Sequence, residues 1–152
     1  MHALIDTSVA SMIHNSTNDC AIDPFYEEQM IGKKILISFQ TVEEMLFGAH
    51  KGGWGGPRVR ALSTFLKGFV VVPGNYELAE ISARLRADAE KVGRRLETAD
   101  AWIMATAIRL GIPLVTDDRD QALGGIQGYS FMSKHPAFIL RPLKSGLSVG
   151  SP

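Results

Sequence analysis

Short apolar runs alternate with longer segments of helical periodicity along this chain, and that alternation restricts the possible folds more than any other feature. Strands that alternate with helices form βαβ units, in which the strands lie parallel and the helices cross over the sheet. We therefore expect an α/β fold with a central parallel sheet of about five strands. The apolar runs that we assign to strands are residues 3–5, 34–38, 69–72, 114–116 and 128–133.

Capping residues indicate where the helices begin and end. Thr41 is followed three residues later by Glu44, which is the spacing of a capping box. Thr98 is predicted to cap a helix that is apolar on nearly every face, is buried in the core and ends at Gly111. Further helix starts are predicted at Asp6, Asp23-Pro24, Pro57 and Asn75.

Length and composition indicate one globular domain. The 152 residues are 45% hydrophobic and 21% charged, which supplies enough apolar material for one sizeable core. The 16 basic and 16 acidic side chains balance, so the net charge neither indicates nor excludes a nucleic-acid partner. We assign residues 1–143 to the domain and expect residues 144–152, rich in Ser, Gly and Pro, to form a disordered tail.

Several classes of protein are disfavoured by what the sequence lacks. It shows neither a signal-peptide pattern nor an apolar stretch of membrane-spanning length, and its single cysteine, Cys20, cannot form an internal disulfide. We therefore expect a cytoplasmic protein with no membrane partner. No Gly-rich phosphate loop follows the first strand, which argues against dinucleotide or P-loop binding. Metal-ligand spacing is also absent among His2, His14, His50 and His135.

Four acidic residues fall where the predicted sheet presents the carboxyl ends of its strands. Asp6 and Asp118 directly follow the first and fourth predicted strands. Glu44 and Asp100 are predicted in the first turns of two helices, where the helix dipole favours negative charge. Ligands of open parallel sheets bind outside the carboxyl ends of the strands, so these acids should meet if the first and fourth strands are neighbours.

Carboxylates that converge in one cleft repel one another, and a divalent cation would relieve the repulsion. Oxygen ligands without His or Cys select Mg²⁺ or Mn²⁺, and one or two such ions would activate a water and stabilise the leaving oxygen of a phosphodiester. Each acid taken singly also has a structural explanation as a helix cap, a capping-box partner or a dipole partner. Asp100 is the most informative, because an acid that opens an apolar helix is costly without a partner.

Four short segments, taken in order, resemble the motifs of PIN-domain ribonucleases. Residues 4–8 resemble the opening strand and first acid of that family, and residues 37–49 resemble its second motif, with a Thr before Glu44 and a Gly after it. Residues 98–107 contain an Asp followed by Ile-x-Ala-x-Ala, and residues 113–120 contain Val-Thr-x-Asp. Each motif is weak alone, but the four in this order are specific.

The resemblance covers roughly residues 1–125. Within the family, the sequence is most similar to the VapC-like toxins of type II toxin–antitoxin pairs. The resemblance implies a three-layer α/β/α fold, Mg²⁺- or Mn²⁺-dependent cleavage of RNA, a homodimer, and inhibition by a cognate antitoxin protein. The catalytic and metal-binding acids that it implies are Asp6, Glu44, Asp100 and Asp118, and the supporting hydroxyls are Ser8 and Thr116.

Two further acids leave the fourth motif ambiguous. Asp117 competes with Asp118, and we prefer Asp118 because the family places its acid two residues after the Thr. Asp120 is either a further ligand or a solvated residue, and we favour the solvated residue. Both are kept as supporting candidates.

Basic residues before the third motif are candidates for RNA binding. If the helix that begins at Asn75 continued far enough, they would form a stripe that binds phosphates, and the alternative is a solvated helix face. The Gly-rich loop around Trp54 is a second candidate, through base stacking, with local packing or a dimer surface as its alternative. The basic candidates are Arg84, Lys91, Arg94 and Arg95.

Two other functions remain open from the sequence. The domain could bind RNA or an antitoxin without cleaving RNA. A site that no longer catalyses a reaction, however, has no reason to keep its acids buried. A phosphate-receiver domain of similar topology would need an Asp acceptor beyond the third strand, where this chain has residues 73–75, Pro-Gly-Asn.

Overall fold

The computed structural model describes residues 1–16 and 21–140. Cys20 and the predicted tail at 144–152, with its boundary after residue 143, lie outside the described residues. The strands are β1 (His2–Ile5), β2 (Lys34–Ser38), β3 (Val70–Val72), β4 (Leu114–Val115), β5 (Leu123–Gly124), β6 (Phe131–Met132) and β7 (Phe138–Ile139). The helices are α1 (Thr7–His14), α2 (Pro24–Met30), α3 (Phe39–Lys51), α4 (Gly56–Lys67), α5 (Tyr76–Lys91) and α6 (Thr98–Leu110), with a 3-10 turn at Arg119–Gln121.

β1 is the central strand of a five-stranded parallel sheet with the order β3-β2-β1-β4-β6. Leu4 pairs with Leu36 on β2 and with Leu114 on β4, so the first and fourth predicted strands are neighbours. The fifth strand is confirmed but is shorter than 128–133, because Gly128 turns the chain with a φ of 78° before it begins. β5 and β7 form a separate parallel pair that the sequence did not predict.

Successive residues of the central strand face opposite sides of the sheet, as the pleat requires. Ala3 and Ile5 pack with buried residues of α1, α3 and α4, whereas Leu4 packs with buried residues of α5 and α6. Complete burial of a side chain such as Leu4 stabilises the fold by about 1.5–3 kcal/mol. The two clusters therefore hold helices on both faces, and the predicted three-layer α/β/α architecture is confirmed.

Three predicted helix caps are confirmed by their hydrogen bonds. Each capping side chain accepts from a backbone N–H of the first turn, which satisfies a donor that the helix leaves unpaired. These caps are Asp6 at α1, which accepts from Val9, Asp23 at α2, which accepts from Phe25, and Asn75 at α5, which accepts from Leu78.

The predicted capping box at Thr41 is wrong. The cap of α3 is Ser38, the last residue of β2, whose hydroxyl accepts from the Gln40 N–H at 3.1 Å. The strand therefore runs directly into the helix, Thr41 lies buried within the helix, and Glu44 lies in its second turn instead of its first. Thr98 is likewise the first residue of α6 and not its cap.

α6 is buried as predicted, with residues 103–107 almost inaccessible to solvent. It ends at Gly111, which takes the left-handed conformation with a φ of 64°. Asp100 lies in its first turn, as the sequence indicates. Within 1–16 and 21–140, none of the helices has the length and apolarity needed to cross a membrane.

Candidate active site

Asp6 is buried at the carboxyl end of the central strand, and its side chain is 1% exposed. One carboxylate oxygen, Oδ1, accepts from the Ser8 hydroxyl at 2.6 Å and from the Val9 N–H at 2.9 Å, and Oδ2 accepts from the Thr116 hydroxyl. Burial raises the pKa of Asp6 to about 6, although these hydrogen bonds lower it. The negative charge of Asp118 also raises the pKa of Asp6. Asp6 is thus both a helix cap and an acid that is costly to ionise.

A chain of side-chain contacts joins Asp6 to Asp100 across two elements. Thr116 follows β4, contacts Asp6, and places its hydroxyl oxygen 3.1 Å from Gln121 Oε1. Gln121 is 1% exposed, and its Nε2 donates to Asp100 Oδ1 at 3.0 Å. The Tyr129 hydroxyl donates to the backbone carbonyl of Gln121 at 2.6 Å, which also holds this residue in place.

Asp100 is the acid with the most perturbed pKa of the site. Burial raises the pKa of Asp100 to about 7, and the negative charge of Asp118 is the next largest cause, ahead of smaller contributions from Glu44 and Asp120. The Gln121 hydrogen bond opposes the shift. Acids from four separate segments therefore influence one another electrostatically, as the sequence predicts for this edge of the sheet.

Glu44 faces the same site from the second turn of α3. The Thr7 hydroxyl donates to Glu44 Oε1 at 2.8 Å and lies 3.2 Å from the Thr41 hydroxyl. Burial raises the pKa of Glu44, and the charges of Glu43 and Asp118 act in the same direction. We call Asp6, Glu44, Asp100 and Asp118 the acid cluster.

The structure separates the roles of the two adjacent acids of the fourth motif. Asp118 caps the 3-10 turn through its Oδ1, which accepts from the Asp120 N–H at 2.9 Å, and its charge acts on the other three acids of the cluster. Asp117 points elsewhere, where Tyr26 donates to its Oδ1 at 2.6 Å and His135 Nε2 lies 3.1 Å away. This placement favours Asp118 over Asp117 as the acid of the site.

Asp120 is exposed and forms an ion pair with Arg94 at 3.4 Å. Its charge contributes least among the causes that raise the pKa of Asp100. The placement matches the solvated residue that the sequence favours.

Three residues of the site were not identified from the sequence. Gln121 and Tyr129 follow the fourth motif in the sequence. Their contacts depend on the path of the chain after β4, which no local pattern indicates. Burial, together with the charges of Asp6, Asp100 and Asp118, raises the pKa of Tyr129 well above its ordinary value, so it stays a neutral donor. The third is Thr7, whose neighbour Ser8 was identified.

The donor set of the acid cluster suits a hydrated, hard cation. Among residues 1–16 and 21–140, no three His, Cys, Asp or Glu side chains are arranged to enclose a metal ion by themselves. Mg²⁺ keeps several waters and is usually bound through only one or two carboxylates, whereas structural zinc sites are closed by four protein ligands. Burial is the largest cause of the raised pKa values of Asp6 and Asp100, and the charge of Asp118 adds to it, so a bound cation would favour the ionised forms of both acids. The residues present therefore fit an open Mg²⁺ or Mn²⁺ site.

The structure does not meet the condition set for a basic stripe, which was a helix that continues through Arg95. α5 ends at Lys91, and Gly93 turns the chain with a φ of 76°, so Arg94 and Arg95 lie outside the helix. Arg94 pairs with Asp120, and its guanidinium also lies over the Phe138 ring. Of the other basic candidates, Lys91 pairs with Asp88 and Arg95 pairs with Glu97. Arg84 lines a cavity with Glu77, Glu80 and Asp88.

The Gly-rich loop around Trp54 is a short connection between α3 and α4, spanning residues 52–55. Trp54 packs locally, because Arg58 lies over its ring at 3.5 Å and the His14 ring is stacked with it at 6.2 Å. Local packing was one of the alternatives that the sequence left open for this residue, and the ring also lines a cavity beside Glu44.

A family model described as the PIN domain matches residues 3–124. The chain therefore belongs to the PIN domain family, as its four motifs indicate.

Within that family the chain is similar to VapC proteins. It is 28% identical over 98 residues to ribonuclease VapC5 of Mycobacterium tuberculosis, covering 63% of this chain and 73% of that protein. It is 30% identical over 122 residues to VapC ribonuclease Y4jK of Sinorhizobium fredii, covering 76% of this chain and 86% of that protein. The crystal structure of VapBC-5 from M. tuberculosis, a member of the VapBC family of toxin–antitoxin systems, matches at 25% identity with a TM-score of 0.65, covering 88% of this chain and 99% of that chain. The predicted VapC-like resemblance is confirmed.

Proposed function

We propose that this chain is a metal-dependent endoribonuclease that cleaves RNA at the acid cluster. The observation that carries the proposal is the chain of contacts that links Asp6 to Asp100. They come from different elements, yet Thr116 and Gln121 connect them, and the charge of Asp118 raises the pKa of both. Burying several acids at one edge of the sheet is costly for a domain that only needs to fold, so a charged ligand is the simplest reason to keep them.

Asp6 and Asp100 are the side chains that we expect to hold Mg²⁺ or Mn²⁺, with Glu44 and Asp118 contributing directly or through water. When bound, such an ion supplies activation of a water nucleophile and stabilisation of the leaving oxygen in an in-line displacement. The protein orients the acids: Ser8 and the Val9 N–H fix Asp6, Gln121 fixes Asp100, and each acid keeps lone pairs free.

The relatives support RNA as the substrate and an antitoxin as the partner. Both VapC relatives are named ribonucleases, and the matching M. tuberculosis structure belongs to a toxin–antitoxin system. We infer that a cognate antitoxin protein binds this chain and controls its activity. We also propose a cytoplasmic homodimer; β3 is an edge strand with Val70 and Val71 exposed, which gives an apolar surface for self-association.

The test is cleavage of labelled single-stranded RNA by purified protein in EDTA, in Mg²⁺ and in Mn²⁺. We expect discrete products only with a metal, and loss of cleavage in Asp100→Asn. Asp88→Asn is the matched control, because it makes the same change at an exposed site on α5. Full cleavage by Asp100→Asn, or cleavage in EDTA, would contradict the proposal.

A second candidate function is RNA or antitoxin binding without cleavage. The matching M. tuberculosis structure belongs to a toxin–antitoxin system, so binding of a partner protein alone would also account for that similarity. The same experiment separates the two functions. RNA that is bound but uncut at every metal concentration would establish the binding module instead.

A further inference from the structure

A cavity of about 200 Å³ opens between α1 and α3, directly beside Glu44. It is smaller than the roughly 300–1,000 Å³ pockets that take drug-sized ligands, so it admits about one ring system. Its lining combines hydroxyl, imidazole, amide and indole groups with apolar side chains. The lining residues that matter here are Thr7, Ser11, His14, Glu44, Gly48 and Trp54.

The cavity reaches the acid cluster through shared residues. Glu44 lines the cavity and also belongs to the cluster, and Thr7 lines the cavity while donating to Glu44 at 2.8 Å. A group that occupies the cavity is therefore one side chain away from the place where a phosphodiester would be cut.

Two aromatic rings form part of the cavity wall. The His14 and Trp54 rings are nearly parallel, 23° apart, with their centroids 6.2 Å from each other, and both line the cavity. Unpaired bases of single-stranded RNA are recognised mainly by stacking on such rings and by hydrogen bonds to their edges.

A cation lies next to this surface. The Arg58 guanidinium lies 3.5 Å from the Trp54 ring centroid, and the residue is exposed. Within the part of the chain that the structure describes, Arg58 takes part in none of the ion pairs, unlike Lys91, Arg94 and Arg95. A stacked guanidinium that keeps its donors free suits a phosphate better than an apolar peptide.

Gly48 has no packing reason to be glycine. It lies inside α3, where glycine destabilises a helix relative to alanine, and a Cβ built on it would meet nothing within 4 Å. Gly48 also lines the cavity, so a larger side chain there would occupy the space that a ligand needs.

We propose that this cavity binds the base of a nucleotide next to the cleaved phosphate of single-stranded RNA. The Trp54 and His14 rings contact the base, and Arg58 contacts a neighbouring phosphate. The inference rests on the proposed ribonuclease function, because it assigns the cavity to the same substrate.

The test measures binding of the full-length protein to oligoribonucleotides in EDTA, where metal-dependent cleavage does not interfere. The RNAs are identical except that one nucleotide at a time is abasic, and the affinity is read by fluorescence anisotropy. We expect one abasic position to weaken binding by roughly tenfold, as loss of one stacked base does. Gly48→Leu should remove that difference, and Gly48→Ala should reduce it less. His50→Leu, on the exposed side of α3 outside the cavity, is the matched control.

Trp54→Phe should retain part of the base dependence that Trp54→Ala loses, because a phenyl ring still offers an aromatic surface to the base. Equal affinity for every abasic RNA in the wild type, or an unchanged difference in Gly48→Leu, would overturn the inference. So would a Gly48→Leu protein that binds RNA normally but fails to bind a co-expressed protein partner, because the cavity would then serve that partner. Base-dependent binding without cleavage in any metal would support this inference while refuting the proposed function.

Discussion

Asp100→Asn should stabilise the metal-free protein at neutral and alkaline pH. The pKa of Asp100 is raised from 3.8 to about 7, so between about pH 4 and pH 7 the folded state holds a proton that the unfolded state has lost. Stability conferred by this group therefore falls as the pH rises through that window. Three pKa units correspond to at most about 4 kcal/mol, and solvent screening at this partly buried side chain reduces the expected cost to about 2 kcal/mol.

Asparagine keeps the Oδ1 atom that accepts from Gln121 at 3.0 Å, so the substitution removes the charge and little else. We expect urea unfolding in EDTA to show a gain in the free energy of unfolding of about 2 kcal/mol at pH 8 and almost none at pH 4. Asp88→Asn, an exposed acid paired with Lys91, should show no such pH-dependent gain. An equal change at both pH values, or a loss of stability at pH 8, would refute the electrostatic argument.

The remaining predictions concern packing and positioning. Gln121→Leu should weaken Mg²⁺ or Mn²⁺ binding by roughly tenfold in a calorimetric titration, because Asp100 loses its orienting donor. Gln121→Glu should not restore the metal affinity, because it also lacks that donor. Ile103→Ala should lower the free energy of unfolding in urea by about 2–5 kcal/mol, since its side chain is 1% exposed in α6. Gly111→Ala should lower the melting temperature through a cost of roughly 1 kcal/mol, because its φ of 64° is left-handed.

The fold could be predicted from the sequence wherever several local signals indicate the same helix or strand. The apolar run before Asp6 and the run before Asp118 both read as strands, and parallel topology then places both acids at one edge. Asp100 could be placed because an acid that opens an apolar helix is conspicuous. These inferences need only strand and helix periodicity together with the direction of the strands.

The prediction failed where the outcome depended on tertiary contacts. Thr41 and Glu44 have capping-box spacing, but Ser38 ends a buried strand and caps the helix first, which local propensity cannot reveal. The stripe through Arg94 and Arg95 was conditional on a continuous helix, and Gly93, a local break already visible in the sequence, lies between α5 and these two residues. For the start of α3, local spacing gives the candidates and the neighbouring strand decides between them.

Gln121 shows why the centre of such a site resists sequence reasoning. Thr116 has one hydroxyl hydrogen and three polar neighbours: it accepts from the Asp118 N–H and contacts oxygens of both Asp6 and Gln121. When Asp6 is ionised, that hydrogen is donated to Asp6, and Gln121 Oε1 receives nothing from it. When Asp6 is protonated, its own hydroxyl can donate to Thr116, which then donates to Gln121. One hydroxyl thereby links the charge of Asp6 to the hydrogen bonding of the residue that holds Asp100, a link that exists only once the chain has folded.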